Sequence, residues 1–232
     1  MSGNNITKLS TGVSGVKTTV SDTDRLVAEL RRRIVNNQMP PGSRLREYEL
    51  AEEFNVSRSR VRDAFGVLEE RGLIERIPNK GAVVMRLEAD SFLELFDLRE
   101  VLEGLMVRLA TENAAPEYWD ELIDLFGPEL AQAVEKNDFN AYLAAIAKFR
   151  QTCINAAGST MLAGVLDDLY DRVLAMTRRL MLVPGRASEG FRQHQEILQA
   201  MKAGDVVLAE ELKRANIRSA RSWFMKYSDF LL

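Results

Sequence analysis

The segment from Leu45 to Leu73 constrains the fold of this chain most strongly, because its pattern predicts two short helices separated by a tight turn. Ser57 is a helix-capping residue, and arginines follow it at alternate positions, Arg58, Arg60 and Arg62. Four apolar residues then recur at helical spacing: Val61, Ala64, Phe65 and Leu68. A helix with a basic, exposed start and a buried face can enter a groove of DNA, so the segment predicts a helix-turn-helix.

Another helix is predicted ahead of this segment. Ser21 is placed to cap it, and Leu26, Leu30 and Ile34 recur within it at four-residue spacing. The prolines at 40–41 end it, because proline cannot donate a backbone hydrogen bond and restricts the residue before it.

Two β-prone runs follow the segment, at 73–76 and 82–86, with a turn between them. In this turn Asn79 or Gly81 can adopt a positive φ. Lys80 and Gly81 would lie at the hairpin tip, where they could approach a sugar-phosphate backbone closely. The order of three helices and a hairpin is that of a winged helix.

From residue 90 onward the pattern is helical throughout. Ser91 and Glu94 have the spacing of a capping box at the start of the first helix. Five more helices are predicted, at 116–135, 138–156, 159–182, 188–202 and 205–228. Six antiparallel helices with short connections form a bundle whose interior can hold a small ligand.

The predicted fold class is therefore mostly α: an N-terminal winged helix-turn-helix of three helices and a β-hairpin wing, joined to an all-α antiparallel helical bundle. We place the winged helix at 21–87 and the bundle at 88–232. Residues 1–20 are rich in Ser, Thr, Gly and Asn without periodicity, and we interpret them as a flexible arm.

Charge is divided unevenly between these domains, although the formal net charge of the whole chain is −3. Residues 21–87 contain 13 Lys/Arg and 11 Asp/Glu, whereas residues 88–232 contain 16 and 23. A mildly basic domain beside an acidic one fits a DNA-binding module with a separate sensor. The single cysteine, Cys153, excludes a disulfide framework. We expect a cytoplasmic protein that does not cross a membrane, since no stretch resembles a signal peptide or a membrane span.

The chain resembles the GntR family of bacterial transcription regulators, and within it the FadR subfamily with a C-terminal FCD ligand-binding domain. The most specific stretch is PPGSRLREYELAEEFNVSRSRVRDAFGVLEERGLIERIPNKGAVV at 40–84. The second domain matches through FDLREVLEG at 96–104 and FRQHQEILQAMKAGDVVLAEE at 191–211. The resemblance implies a homodimer that binds a pseudo-palindromic operator on double-stranded DNA and is released by a small organic acid, usually as a repressor.

The same resemblance assigns roles in DNA binding to individual residues. Arg58 and Arg62 match arginines that reach base edges and phosphates, Ser59 matches a phosphate-contacting hydroxyl, and Gly81 matches the glycine of the wing tip. Arg60 departs from the proline or threonine of many relatives and adds a positive charge. The predicted DNA-binding set is completed by three more residues: Arg46, Ser57 and Lys80.

Many FCD domains hold a divalent metal with one aspartate and three histidines, and the resemblance places Ile146, Arg150, His194 and Asn216 at those positions. Isoleucine cannot bind a metal and arginine is permanently cationic, so we expect no metal and no other cofactor. A metal site with non-standard ligands, built on His194 and Asn216, remains the alternative.

The replacement suggests an anion site instead. Tyr142, Ile146 and Arg150 lie on one helix face, so the guanidinium is expected to project from an apolar stripe, where a ligand carboxylate would neutralise it. His194 and Asn216 would orient the ligand. Arg150 could equally pair with an acid such as Asp167 or Asp171 and only support the bundle.

Arg99 is a further candidate for the effector site. It shares the inward face of its helix with Glu103, and it could either pair with that acid or face the ligand.

Two other classes of function are alternatives to a DNA-binding regulator, a thiol enzyme and a helical interaction protein. A thiol enzyme would have to use Cys153 and His194, which are the only thiol and the only imidazole of the chain. The sequence also has no glycine-rich phosphate loop and no paired-carboxylate motif. We therefore predict that the protein is not an enzyme. A helical interaction protein would use the arginine-bearing helix face to bind a partner other than DNA.

Overall fold

A computed structural model of the chain describes residues 21–78, 80–86 and 89–231. The predicted arm at 1–20, the positive φ proposed for Asn79 and the boundary between 87 and 88 lie outside these residues. The described part is mostly helical and forms two domains, as predicted. The winged helix contains three helices and three strands: α1 (Asp22–Val35), β1 (Arg44–Leu45), α2 (Glu47–Glu53), α3 (Arg58–Glu70), β2 (Ile74–Ile77) and β3 (Gly81–Val84).

Local capping fixes the starts of α1 and α3 in the winged helix. The Ser21 side chain accepts a hydrogen bond from the Asp24 backbone, and the Asp24 carboxylate accepts one in return, which completes a capping box. Ser57 caps α3 in the same way by accepting from the Arg60 backbone nitrogen. Behind them, Leu30, Val61, Leu68 and other apolar residues form a separate core for this domain.

The wing differs from the predicted hairpin by one strand. β1 pairs with β3, which also pairs with β2, so the order in the sheet is β1-β3-β2 and both pairings are antiparallel. Gly81 has a φ of +87°, and a Cβ at this position would collide with the carbonyl oxygen of Leu45. The glycine is therefore required by the close approach of β1 and β3, whatever its role toward DNA.

The described part of the bundle contains seven α-helices rather than the predicted six: α4 (Ala89–Asn113), α5 (Asp120–Leu125), α6 (Pro128–Glu135), α7 (Phe139–Ala157), α8 (Thr160–Met181), α9 (Arg186–Lys202) and α10 (Val206–Leu231). The single helix predicted at 116–135 is wrong. A 3-10 turn at Pro116–Trp119 begins it, and it breaks at Gly127 because that residue precedes Pro128 and is extended, with ψ −163°. The predicted capping box is also wrong, since α4 begins at Ala89 and Ser91 lies inside it.

Helix α8 of the bundle makes the polar contacts that hold the two domains against each other. The Asp171 carboxylate is fully buried and accepts hydrogen bonds from Arg31 Nε at 2.7 Å and from Arg71 Nη1 at 3.1 Å. Arg172 donates to the backbone oxygen of Arg71 at 3.2 Å. One buried carboxylate thus holds two arginines of the winged helix against the bundle. None of the described helices is long and apolar enough to cross a membrane.

Candidate nucleic-acid interface and effector cavity

A basic groove lies between the start of α3 and the wing. Six basic and two acidic side chains line it, which leaves a clear excess of positive charge: Arg44, Arg46, Arg58, Arg62, Arg76 and Lys80, with Glu47 and Glu69. Tyr48 and Gly81 also contribute to the lining. The groove has the charge and the position expected of a surface that receives the phosphate backbone.

Glu47 holds the two arginines that were predicted to read DNA. Its Oε2 lies 3.1 Å from Arg58 Nη2 and 3.0 Å from Arg62 Nε. Burial would raise the pKa of Glu47, but the hydrogen bonds and charges of the two arginines lower it. The fork of each arginine is therefore oriented within the groove before any nucleic acid is present.

The structure brings five of the eight predicted DNA-binding residues together in this groove: Arg46, Arg58, Arg62, Lys80 and Gly81. The other three lie outside its lining. Ser57 is used as the cap of α3 and its Oγ is 2.8 Å from Ser59 Oγ, while Arg60 lies 3.9 Å from Asp22.

Sequence reasoning missed the contributions of Arg44, Glu47, Tyr48 and Arg76 to this groove. The sequence pattern gave little indication of these contributions, because Arg44 and Arg76 become neighbours of α3 only through the pairing of β1 and β2 with β3. A two-residue strand such as β1 has no periodicity from which it could be predicted.

A second concave site, the bundle cavity, lies inside the helical domain. All six predicted effector residues line it: Arg99, Tyr142, Ile146, Arg150, His194 and Asn216. They come from α4, α7, α9 and α10, and Tyr170, Val173 and Met176 of α8 close the remaining side. Its free volume is about 40 Å³, which is room for roughly three water molecules.

Arg150 has protein partners in this cavity. Its Nη2 lies 2.9 Å from Asp167 Oδ1, and its guanidinium carbon is 4.0 Å from the centre of the Tyr170 ring. Asp167 is half exposed, so its charge is partly screened by solvent. Of the two possibilities raised by the sequence, the ion pair with an acid of α8 is present, and Arg150 still lines the cavity.

Arg99 belongs to a buried charge cluster. Its Nε lies 2.7 Å from Glu103 Oε1, and Lys213 Nζ lies 2.8 Å from Glu103 Oε2. Burial would raise the pKa of Glu103, but the charges of Arg99 and Lys213 and their hydrogen bonds lower it to about 2. Lys213 also donates to the Asn216 side-chain oxygen at 3.3 Å, and the Asn216 amide donates to Gln193.

His194 is buried and neutral. Burial, followed by the charge of Lys213, lowers its pKa to about 3. Its Nδ1 lies 2.8 Å from the Gly190 carbonyl oxygen, and since a carbonyl can only accept, Nδ1 carries the proton. The Tyr142 hydroxyl is 3.2 Å from the same nitrogen. Nε2 is then an acceptor, and it has no hydrogen-bond partner among the described residues.

Two basic residues that line the cavity, Arg186 and Lys213, were not predicted from the sequence. Arg186 is 3% exposed, and within the described ranges its Nε and Nη1 have no hydrogen-bond partner. Burial lowers its pKa. Gly190 gives it room, because a Cβ there would lie 2.8 Å from both Arg186 Nη1 and the Tyr142 hydroxyl. Arg186 was not assigned to a helix face because α9 was predicted to begin at 188. In the structure α9 begins at Arg186, which therefore lies on the same helix face as Gly190 and His194.

These residues do not fit the metal site of the family. Only one imidazole is present at the four positions, the Asn216 side chain is engaged by Lys213 and Gln193, and Arg150 and Ile146 supply no ligand atom. Within the described ranges, no group of three His, Cys, Asp or Glu could hold a metal ion. The cations around the cavity also disfavour a divalent cation.

Comparison with known proteins gives the same two domains. The model of the bacterial regulatory proteins of the gntR family matches residues 22–84, and the FCD domain model matches residues 94–219. The chain belongs to the GntR family and carries an FCD domain. It is therefore a transcriptional regulator with a winged helix-turn-helix and a helical C-terminal domain.

Relatives of this GntR chain with curated descriptions are regulators. A probable D-xylose utilization operon transcriptional repressor of Paenarthrobacter nicotinovorans is 28% identical over 178 residues, which is 76% of this chain and 77% of the relative. A gluconate operon transcriptional repressor of Bacillus licheniformis is 38% identical over 100 residues, 43% of this chain and 39% of the relative. The structure of E. coli McbR/YncC superposes with a TM-score of 0.77 at 24% identity, covering 90% of this chain and all of that one.

Membership of these families settles the class of function, because both are families of transcriptional regulators and not of enzymes. The chemistry of Cys153 agrees with this. Its thiol is fully buried and burial raises its pKa far above the usual range, so the reactive thiolate is disfavoured.

Proposed function

We propose that this regulator binds a pseudo-palindromic operator as a homodimer, acts as a repressor and is released from DNA by a small organic acid in the bundle cavity. The observation that carries the effector proposal is Arg186, a buried guanidinium that pairs with no carboxylate in the described part of the chain. A buried cation without a partner is costly, and a ligand carboxylate would neutralise it with two parallel hydrogen bonds.

The charges around the cavity support an anionic effector. Four basic side chains line it, Arg99, Arg150, Arg186 and Lys213, but Glu103 is the only acidic lining residue in the described part of the chain. Glu103 is already shared by Arg99 and Lys213. An anion would therefore enter a site that carries an excess of positive charge.

The neutral groups suggest the rest of the ligand. His194 Nε2 is a buried acceptor, so it fits a ligand hydroxyl that donates to it. The Asn216 amide lies on the facing helix α10 and would orient the ligand, as we predicted for both residues. In the revised assignment Arg186 is the main anchor, and Arg150 contributes a second positive charge that Asp167 partly offsets.

Helix α8 supplies a path from this cavity to the DNA-binding domain. Tyr170 and Val173 line the cavity, and Asp171 between them holds Arg31 and Arg71 of the winged helix. A ligand that shifts α8 would thus change the position of the carboxylate that holds the winged helix. This is a physical basis for release of the operator on ligand binding.

Exposed apolar residues on α4 support the homodimer. Leu98 and Val101 are each 51% exposed and are three residues apart, so they lie on one face of the helix. Light scattering on the wild type should give twice the chain mass, and Val101→Glu should shift the protein toward the monomer. A wild type that stays monomeric at micromolar concentration would contradict the proposal.

Binding of the effector is tested by thermal shift with glycolate and lactate, two of the smallest hydroxy acids, because the free volume of the bundle cavity is only about 40 Å³. At least one of them should raise the melting temperature of the wild type, and Arg186→Gln should abolish this rise. Arg192→Gln is the matched control, since Arg192 lies on the same helix but is exposed and paired with Glu196. Equal stabilisation of both variants would eliminate Arg186 as the anchor, and stoichiometric zinc or nickel in the preparation would favour the metal-dependent alternative.

Operator binding is tested by fluorescence anisotropy with a duplex from upstream of the protein's own coding region. Affinity should fall steeply as salt rises, because phosphate contacts release counterions. Arg62→Ala should weaken binding by about five- to 150-fold if its guanidinium reads a base, which corresponds to roughly 1–3 kcal/mol. A complex that is insensitive to salt would argue against this mode of binding.

A further inference from the structure

Another cavity lies at the junction of the two domains, and we call it the junction cavity. It is bounded by α1 and β3 of the winged helix and by α4 and α8 of the bundle. Its volume is about 420 Å³, compared with 40 Å³ for the bundle cavity. Volumes of roughly 300–1,000 Å³ are typical of sites that bind drug-sized molecules, so the junction cavity already has the size of such a site, whereas the bundle cavity must widen around its smaller effector.

The walls of the junction cavity are mainly apolar and come from both domains. Ile34, Leu73, Val84 and Met85 line it from the winged helix, and Phe92 and Met176 line it from the bundle. Burial of an apolar group against such walls is favourable in proportion to the area removed from water. The apolar part of a ligand would thus contact both domains at once.

The polar part of the junction cavity is cationic. Three arginines line it: Arg86, which is exposed, and Arg172 and Arg179, which are half-buried and lie seven residues apart on α8. Arg172 donates to the Arg71 backbone oxygen at 3.2 Å, and Arg179 donates to the Leu231 backbone oxygen at 2.8 Å and to the Asn37 side chain at 3.4 Å. None of these acceptors carries a charge.

Among the described residues of this lining Asp171 is the only acid, and it is already engaged by Arg31 and Arg71. Neither Arg172 nor Arg179 forms an ion pair with a carboxylate in the described part of the chain. Two half-buried guanidinium groups therefore face an apolar cavity without a carboxylate partner among the described residues. Such a site is complementary to a molecule with an anionic head and an apolar tail.

We propose that the junction cavity is a second ligand site, which takes an amphiphilic monoanion: a carboxylate with an unbranched apolar tail. The carboxylate binds Arg172 and Arg179, and the tail packs between the two domains. This site is separate from the bundle cavity and does not depend on the identity of the effector there. Because Phe92 and Met176 line both cavities, filling one of them alters a wall of the other.

The proposal is tested by calorimetric titration of the full chain with acetate, hexanoate, octanoate and decanoate below their micelle concentrations. Affinity should rise about fourfold per added methylene, the factor that corresponds to the transfer of one methylene group from water. Acetate should show no binding at this site. Affinity that does not increase with tail length would overturn the proposal.

Two variants locate the site. Arg172→Gln/Arg179→Gln should weaken octanoate binding by at least tenfold. Met85→Trp, which leaves both arginines in place and fills the cavity, should weaken it similarly. Unchanged octanoate affinity in both variants overturns the proposal.

Arg186→Gln and Arg150→Gln are the matched controls, because they remove a charge from the bundle cavity alone. Both should keep the wild-type octanoate affinity. If Arg186→Gln abolishes octanoate binding, the tail occupies the bundle cavity and the proposal is wrong. If Arg186→Gln loses only the response to short hydroxy acids, both proposals stand. If no hydroxy acid binds while octanoate does, only the effector proposal fails.

Discussion

Arg150 and Arg186 line the same cavity but are held in different ways. Arg150 is paired with Asp167 and stacks on the Tyr170 ring, a contact that favours a guanidinium. Arg186 is more deeply buried, and its Nε and Nη1 have no partner in the described part of the chain. In the ligand-free protein the buried charge of Arg186 therefore lowers the stability of the fold, whereas the charge of Arg150 is compensated by Asp167.

Replacement of Arg186 should reveal that cost. We expect Arg186→Met to raise the free energy of unfolding of the ligand-free protein by about 1–2 kcal/mol, because an apolar side chain of similar length removes a buried charge. Urea denaturation measures the change. Arg192→Met on the exposed face of α9 should stay within about 0.5 kcal/mol of the wild type. A marked loss of stability in Arg186→Met would show that the guanidinium has a partner that stabilises it.

His194 should make stability depend on pH. Its pKa is lowered from 6.5 to about 3 by burial, so the unfolded chain binds a proton that the folded protein excludes between these values. The stabilising contribution is complete above pH 6.5 and is lost as pH falls toward 3, by up to about 1.4 kcal/mol per pH unit.

This dependence can be assigned because His194 is the only histidine of the chain. Urea denaturation at pH 7, 6 and 5 should show a falling free energy of unfolding in the wild type. The curve for His194→Gln should be nearly flat over the same range. A wild type whose stability does not change between pH 7 and 5 would show that His194 takes up a proton as readily in the folded protein as in the unfolded chain.

At the level of elements, α2 and α3 form one recognition unit through Glu47. The carboxylate lies at the start of α2 and contacts Arg58 and Arg62 on α3. DNA phosphates must compete with this carboxylate for the same guanidinium groups. Glu47 therefore orients the arginines and also reduces their net attraction for DNA.

Removal of this competitor should strengthen DNA binding. We expect Glu47→Gln to raise the affinity for duplex DNA about two- to tenfold at moderate salt, since exposed ion pairs are each worth about 0.2–1 kcal/mol. Fluorescence anisotropy measures the effect. Glu52→Gln, an exposed acid on the same helix, controls for the change in overall charge. Weaker binding by Glu47→Gln than by Glu52→Gln would show that orientation of the arginines outweighs competition.

At the level of the whole molecule, α8 connects both domains and both cavities. Tyr170 and Val173 face the bundle cavity, Arg172 and Arg179 face the junction cavity, and Asp171 holds the winged helix. A displacement of α8 would therefore change the walls of both cavities and the position of the carboxylate that holds the winged helix. The placement of the DNA-binding domain thus depends on a small number of polar contacts made by one helix.

Loss of the Asp171 carboxylate should loosen the junction between the domains. We expect Asp171→Asn to lower the free energy of unfolding by about 1–3 kcal/mol and to separate the melting of the two domains, because charge-assisted hydrogen bonds to Arg31 and Arg71 are weakened. Differential scanning calorimetry measures both effects. Asp168→Asn, exposed on the same helix, should leave the transition unchanged. A single transition with wild-type stability in Asp171→Asn would show that apolar contacts hold the domains together.

The sequence by itself determined the winged helix, the position of α3 and the helical nature of the second domain. Periodic apolar residues and capping serines are local signals, so Ser21, Ser57, Leu30 and Leu68 could be assigned without coordinates. It also placed six residues that line the bundle cavity, because the helix faces were identified correctly.

Only the tertiary structure decided which charges are compensated. The partners of Arg150 and Glu47 lie on other elements, and the position of Arg186 depended on where α9 begins. Strand β1 was not predicted because two residues are too few to show the alternating pattern of a strand. The break at Gly127 was not predicted because the helical pattern of apolar residues continues on both sides of it. The junction cavity could not be anticipated, since its walls come from segments as far apart in the chain as Ile34 and Arg179, whose contact depends on how the two domains pack.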